Sequence, residues 1–307
     1  MRIVLTATVV VIITLATGIF TSHAQTPPLS KPIPLPLERD TYKGKGEGDE
    51  LHWLPSMKNP GLAGFHFNLV GAIDKEIELI RVLMTDNRLG LHYHDDPYYW
   101  QVDRQQLPVG TRYYATEGCS DLSAAQLPVT LLTGEASRGV PVLTGFNYLR
   151  GPDGWRQVRS YADEVHSIEV RLLRWDRGGV ALSFDFSDWD WTWGGPSFCY
   201  RVTYAMVPEH KVVSTGVVHD LGYPATGGVS RTLNAAQPVL QGFRLSFVDD
   251  DGHPEEHELD EIKVLVRPGA VDVRYNDKND DDKFEWTVWY ADVEEWRQAP
   301  RRWPYWK

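Results

Sequence analysis

The sequence lacks most features that identify a common enzyme class or a nucleic-acid-binding protein. Its 307 residues include only two cysteines, and 31 Lys and Arg stand against 42 Asp and Glu, for a formal net charge of -11. Nucleic acid and anionic membranes are bound through clustered cations, so neither is an expected partner. The sequence has no Rossmann fingerprint, phosphate-binding loop or nucleophile motif. We therefore expect a non-enzymatic protein.

Long apolar runs are also scarce, and the one present lies at the N-terminus. Residues 1–24 comprise Arg2, an apolar run from Ile3 to Phe20, and the small-residue end Ser22-His23-Ala24. This pattern predicts a secretory signal peptide and a secreted or periplasmic location. An uncleaved anchor is the alternative, because the run approaches the ~20 residues of a membrane span. After cleavage we expect no membrane span.

The two cysteines, Cys119 and Cys199, form an even number in a chain predicted to reach an oxidising compartment. A disulfide between them is one interpretation. Two unpaired structural thiols are the other.

A strand, acidic loop, strand pattern occurs three times, within 91–102, 180–202 and 271–293. The second strand of each copy contains the pattern aromatic, any, aromatic, any, Val, as in Tyr98, Trp100 and Val102. A Gly-Phe pair precedes each copy, at Gly64-Phe65, Gly145-Phe146 and Gly242-Phe243. Such recurrence predicts one structural unit copied along the chain.

The fold class follows from these short alternating runs, which are separated by many of the 20 prolines and 26 glycines. We predict an all-β protein of three related antiparallel β-sheet or sandwich modules in tandem, with few or no helices. The expected segments are a signal peptide at 1–24, a Pro/Gly-rich lead-in at 25–57, modules with their spacers at 58–140, 141–237 and 238–295, and an aromatic, basic tail at 296–307.

Period-two alternation assigns side chains of the closing strands to faces. The recurring large apolar residues are predicted to be core: Tyr98, Trp100, Val102, Phe198, Tyr200, Val202, Tyr204, Phe284, Trp286, Val288 and Tyr290. The opposite face is polar and is predicted to face solvent. Tyr99 and Trp289 are aromatic residues on that face, which makes them candidate ligand-binding residues.

The loop of the second copy has a composition typical of sugar-binding sites. Asp188, Trp189, Asp190, Trp191 and Trp193 combine flat rings that can stack on a sugar with carboxylates that can accept hydrogen bonds from hydroxyl groups. The alternative is that Asp and Asn merely form the turn, through bonds between their side chains and the backbone.

Calcium is a second explanation for acidic loops. Asp277, Asn279 and Asp281 have the spacing that opens an EF-hand loop, but Asp282 and Val288 stand where Gly and Glu are needed. Ca²⁺ bound to a β-loop without that motif is the cofactor that these acidic residues suggest.

Two histidine patterns are weaker metal candidates. His253 to His257 reads as H-x-x-E-H, yet Pro254 and the strand pattern that follows oppose the helix which that motif requires. His92 and His94 lie one alternation apart and could share a metal, but solvent-facing strand histidines are the commoner case.

The tail from Trp296 mixes cations with aromatic residues. It could fold back onto an acidic module through cation–π contacts or dock a partner, and folding back is the preferred interpretation.

The closing strand Phe284 to Ala291, which follows an Asp/Asn loop, resembles the closing strand of H-type lectin domains. That resemblance implies small antiparallel β-sandwiches that bind sugars and often trimerise, and no ligand residue is carried over from it. We expect a secreted, non-catalytic binding protein that recognises a glycan or another extracytoplasmic surface through the acidic and aromatic loops of its repeated β modules. The alternatives are a structural or interaction protein with no small ligand, and a glycoside hydrolase, which needs two facing carboxylates.

Overall fold

The computed structural model describes residues 33–70, 79–85, 87–93, 96–121, 129–150, 165–174, 179–188, 197–222, 228–248, 259–277 and 283–297. Several predicted features lie outside these residues: the signal peptide, the loop residues Trp189, Asp190, Trp191 and Trp193, the calcium candidates Asn279 and Asp281, the 253–257 motif, His94, and the tail beyond Arg297. No described helix is long and apolar enough to cross a membrane.

Twenty strands make up the described fold. The first repeat follows β1 (Ile33–Leu35) and comprises β2 (Arg39–Gly46), β3 (Glu50–Trp53), β4 (Pro60–Leu69), β5 (Leu79–Thr85), β6 (Arg88–His92) and β7 (Tyr98–Gln106). The second comprises β8 (Arg112–Asp121), β9 (Val129–Leu132), β10 (Val140–Arg150), β11 (Val165–Arg174), β12 (Val180–Asp188) and β13 (Ser197–Val207). The third comprises β14 (Val212–Gly222), β15 (Val229–Thr232), β16 (Pro238–Val248), β17 (Leu259–Arg267), β18 (Ala270–Asp277) and β19 (Lys283–Val293), before β20 (Glu295–Arg297). The described helices are two 3-10 turns, Gly134–Ser137 and Glu209–Lys211.

The strands form three six-stranded antiparallel sheets with one topology. Sheet I has the order β2-β7-β4-β17-β18-β15, sheet II the order β8-β13-β10-β5-β6-β3, and sheet III the order β14-β19-β16-β11-β12-β9. Each sheet therefore combines three strands of one repeat with three strands of another. The all-β fold with three related antiparallel sheets is confirmed, and the sheets are built by exchange between repeats. A short ribbon of β1 with β20 joins the two ends of the described chain. The cation–π docking predicted for the tail stays a prediction.

The three Gly-Phe pairs meet at the centre of the fold. The rings of Phe65, Phe146 and Phe243 contact one another with centroid separations of 5.1, 5.2 and 5.3 Å. All three rings are buried. Because equivalent side chains form a nearly equilateral triangle, an approximate threefold axis passes between them. The repeats thus share one core, to which all three sheets contribute.

The glycine before each phenylalanine has a steric role. A Cβ atom on Gly64, Gly145 or Gly242 would lie 2.5 or 2.6 Å from a backbone carbonyl oxygen of the neighbouring strand. A register shift next to each glycine marks a β-bulge in β4, β10 and β16. Only glycine allows the strands to approach so closely, which explains why the pair recurs.

The predicted core assignment is confirmed for the closing strands β7, β13 and β19, except at Phe198, whose side chain lies outside the description. The buried members are Tyr98, Trp100, Val102, Val202, Tyr204, Phe284, Trp286 and Val288, while Tyr200 and Tyr290 are partly buried. Glycines on the adjacent strands receive several of these rings: the Trp100 ring covers Gly44 and the Tyr290 ring covers Gly216. Cross-strand pairing of an aromatic residue with glycine shields backbone that glycine would leave exposed.

The prediction that the opposite face is simply solvent-exposed is wrong at two positions. Asp103 is 6% exposed and Cys199 is 7% exposed. Asp103 is buried because it accepts hydrogen bonds from Gln101 at 2.8 Å and from Arg39 at 3.2 Å, which compensate its carboxylate for lost water. Polar residues on this face therefore also form buried hydrogen bonds that hold neighbouring strands together.

Candidate functional site

The outward face of sheet I carries a row of polar side chains around one exposed aromatic ring. Tyr99 on β7 is 45% exposed, and the ammonium group of Lys45 lies 4.9 Å from its ring centroid. The strand register places Asn68 directly beside Tyr99, and Glu261 directly beside Asn68. This row, which we call the Tyr99 face, presents a flat apolar ring beside amide, carboxylate and ammonium groups.

Glu261 is the electrostatic centre of the Tyr99 face. Its side chain is 6% exposed, one carboxylate oxygen lies 2.6 Å from Nε2 of His66, and the other lies 2.8 Å from Nε of Arg274. A buried carboxylate is stable only when partners replace its water shell, and these two groups do so. The pairing fixes both oxygens, so the outer edges of His66 and Arg274 form the part of this cluster that a ligand could reach.

The acids of the Tyr99 face are poorly arranged for glycoside hydrolysis. Asp103 lies two strands from Glu261 and four residues further along its strand. Strand spacing of about 4.8 Å and a rise of about 3.3 Å per residue put the two acids about 16 Å apart. The carboxyl groups of glycosidases lie about 5 to 9.5 Å apart. This pair therefore lacks the separation that either hydrolytic mechanism needs.

Trp289 occupies the outward face of sheet III, so the structure does not bring it together with Tyr99. The guanidinium carbon of Arg171 lies 4.1 Å from the Trp289 ring centroid. Gly242 pairs with both Arg171 and Trp289, and its missing side chain leaves the space in which the cation reaches the ring. Burial lowers the pKa of the Arg171 guanidinium, and the charge of Glu169 opposes that shift.

The outward face of sheet II is polar but more closed. Asn147 is 3% exposed, and within the described part of the chain its Oδ1 atom has no hydrogen-bond partner, like Oγ1 of Thr203 and Nε of Arg81. Arg81 is held by Asp49 at 2.7 Å, and Nδ1 of His92 lies 2.9 Å from the same carboxylate oxygen. His92 thus faces a carboxylate, and the described residues contain no group of three or more potential metal ligands.

The remaining predicted site residues are only partly described. Asp188 ends β12 and Asp277 ends β18, and the segments that follow them lie outside the described residues. Cys119 on β8 is directly opposite Cys199 on β13 in the strand register. The calcium and disulfide assignments stay predictions.

Sequence reasoning missed His66, Glu261 and Arg274. They come from β4, β17 and β18, that is, from the first and third repeats, and only the exchange of strands places them side by side. The available signal was the polar alternation His66, Asn68 directly after the Gly-Phe pair.

No family model and no curated protein matches the sequence.

Proposed function

We propose that this is a secreted, non-catalytic binding protein that recognises carbohydrate through the outward faces of its sheets, with the Tyr99 face as the main site. The observation that carries the proposal is the exposed ring of Tyr99 beside Asn68, Glu261 and Lys45 on one flat strand row. Sugars offer an apolar C–H face to a ring and hydroxyl groups to amides and carboxylates, so this combination suits them.

The resemblance of the closing strand to H-type lectin domains supports the same ligand class. The sequence after Asp188 supplies three more aromatic residues, Trp189, Trp191 and Trp193, and Asp188 itself ends β12 of sheet III, whose outward face carries Trp289. Recognition of another extracytoplasmic surface would use the same faces, because they combine exposed rings with hydrogen-bonding groups.

We also propose that Cys119 and Cys199 form a cross-strand disulfide, in keeping with secretion. Directly opposed residues on antiparallel strands have Cα atoms about 4.5 to 5.5 Å apart, which lies within the range that a disulfide spans. Non-reducing peptide mapping of the secreted chain tests this: a linked 119–199 peptide is expected, and two free thiols would contradict it.

The test of carbohydrate binding is a polysaccharide pull-down followed by affinity measurement with the best ligand. Tyr99→Ala is expected to weaken binding about tenfold or more, because it removes the stacking ring. Tyr113→Ala is the matched control, since Tyr113 is 43% exposed on the edge strand of sheet II and should affect binding less than twofold.

Two further variants separate the alternatives. If the triple change Trp189→Ala, Trp191→Ala and Trp193→Ala abolishes binding while Tyr99→Ala does not, the loop and not the Tyr99 face is the site. If a folded protein binds no polysaccharide in the panel, the proposal fails and a structural or interaction role takes its place.

A further inference from the structure

A basic cleft lies away from the Tyr99 face, at the end of the fold where sheets II and III are joined by β13 and β14. Its volume is about 570 Å³. The charged residues that line it are Arg112, Arg138, Arg174, Glu209 and His210. Much of the remaining wall is glycine and proline, which leaves the charged groups accessible.

The walls of this cleft are held in place by hydrogen bonds. Nη2 of Arg112 donates to the carbonyl oxygens of Ala136, at 3.2 Å, and Arg138, at 2.7 Å. These bonds tie the start of β8 to the 3-10 turn Gly134–Ser137. Gly139 has φ of 122°, and a Cβ there would lie 2.6 Å from the carbonyl oxygen of Val207. The backbone that carries Arg138 is therefore fixed against β13.

The cleft has a charge opposite to that of the whole chain. Three guanidinium groups and one carboxylate line it, so the lining residues carry 3 − 1 = +2 with His210 neutral, in a protein of net charge -11. Glu209 pairs with Arg174 at 2.5 Å, and Glu135 lies 3.6 Å from Arg138. Both carboxylates are more than half exposed, so an anionic ligand could displace them at little cost.

The internal repeat shows that the fold does not require these arginines. Tyr42, Thr116 and Val218 are equivalent, because each pairs with the valine of a closing strand. The residue four positions before each of these three is Arg112 in the second repeat, Glu38 in the first and Ser214 in the third.

The other two arginines are equally specific to the second repeat. Arg138 lies eight residues before Phe146, where the other repeats have Met57 and Ala235. Arg174 lies four residues after Val170, the partner of Phe243, and the matching positions after Val264 and Val82 hold Pro268 and Asp86 in the sequence. The fold that the three copies share therefore does not need these cations. Arg138 and Arg174 pair with exposed carboxylates, which leaves them available to a ligand.

We propose that this cleft is a binding site for a small oxyanion, that is, a carboxylate, sulfate or phosphate group. Planar guanidinium groups match the oxygen spacing of these anions and form short, charge-assisted hydrogen bonds with them. The bonds to the carbonyl oxygens of Ala136 and Arg138 position Arg112. When the anion binds, it replaces Glu135 as the partner of Arg138 and Glu209 as the partner of Arg174. The site is independent of the Tyr99 face.

The test is calorimetric titration of the intact mature protein with sodium sulfate, phosphate and galacturonate at constant ionic strength, with glucose as the uncharged reference. Saturable binding of at least one anion and none of glucose is expected. Arg138→Gln combined with Arg174→Gln should weaken that binding about tenfold or more.

Arg201→Gln provides the matched control. Arg201 is 45% exposed and lies 4.0 Å from Glu117, much as Arg174 is 47% exposed beside Glu209. Its loss should change the anion Kd less than twofold. The proposal is overturned if none of the three anions binds saturably, or if Arg201→Gln weakens binding as much as the double change. Because simple anions are the probes, failure here leaves carbohydrate binding by the Tyr99 face untouched.

Discussion

The threefold centre of the protein and its outward faces have changed to very different extents between the three copies. At the centre, each repeat supplies the same Gly-Phe pair, the same bulge and the same ring contacts. On the outward faces, a single equivalent position holds Tyr99 in sheet I, Cys199 in sheet II and Glu285 in sheet III. The centre must fit two other copies of itself, a constraint that the outward faces do not share. Function is therefore expected where the copies differ.

The largest expected loss of stability comes from removing one of the three phenylalanine rings at the centre. Phe146→Ala should lower the free energy of unfolding by about 3 to 5 kcal/mol, because a buried ring is lost and its cavity is lined by two rings that cannot collapse inward freely. Urea denaturation measures the change. Phe65→Ala and Phe243→Ala should agree with it to within about 1 kcal/mol, since the three environments are alike. A large difference among them would break the threefold equivalence.

Adding one methyl group at the bulge should lower the free energy of unfolding by a smaller but measurable amount. Gly145→Ala places a Cβ 2.5 Å from the Val82 carbonyl oxygen and should lower the free energy of unfolding by about 1 to 3 kcal/mol, because backbone must move. Gly90→Ala is the matched control in the same sheet. The nearest atom to its added Cβ would be 3.7 Å away, so we expect a change within about 0.5 kcal/mol. Equal effects at the two glycines would contradict the steric account.

The buried rings of the closing strands could be predicted from the sequence, whereas the threefold centre and the contacts on the outward faces could not, for a physical reason. Alternation and recurrence mark positions such as Trp100 and Trp286, because burial selects large apolar residues wherever the unit is copied. The contact between His66 and Glu261 depends on β4 pairing with β17, which lies almost two hundred residues away in the chain. No local pattern indicates that sheets are assembled from different repeats.

A smaller change in the free energy of unfolding is expected at alkaline pH, where the inward-facing side chain of Tyr204 titrates. Burial raises the pKa of Tyr204 to about 12, and its neighbour Tyr114 adds to the shift. The unfolded chain releases this proton near pH 10, whereas the folded state keeps it until about pH 12, so the contribution to stability is complete below pH 10 and is lost as the pH rises towards 12.

Tyr204→Phe should therefore flatten the fall in unfolding free energy between pH 10 and 12 by up to about 1 kcal/mol per pH unit. Urea denaturation in a series of buffers measures the slope, and the same variant at pH 7 reports its baseline stability. An unchanged slope would mean that Tyr204 is already accessible to water in the folded state.

The smallest effect tests whether the outward faces contribute to the fold at all. A double-mutant cycle of Arg171→Ala and Trp289→Ala should give a coupling of about 0.5 to 1 kcal/mol, because the cation lies 4.1 Å from a partly buried ring. The pair Arg88 and Trp53 on sheet II is the control. There the separation is 5.8 Å and Trp53 is 75% exposed, so the coupling should be smaller and should vanish in high salt. If both cycles gave zero, the rings on these faces would contribute nothing to stability in the free protein. Ligand contact would then be the remaining reason for Trp289 to stand beside a cation where the other copies have Asp103 and Thr203.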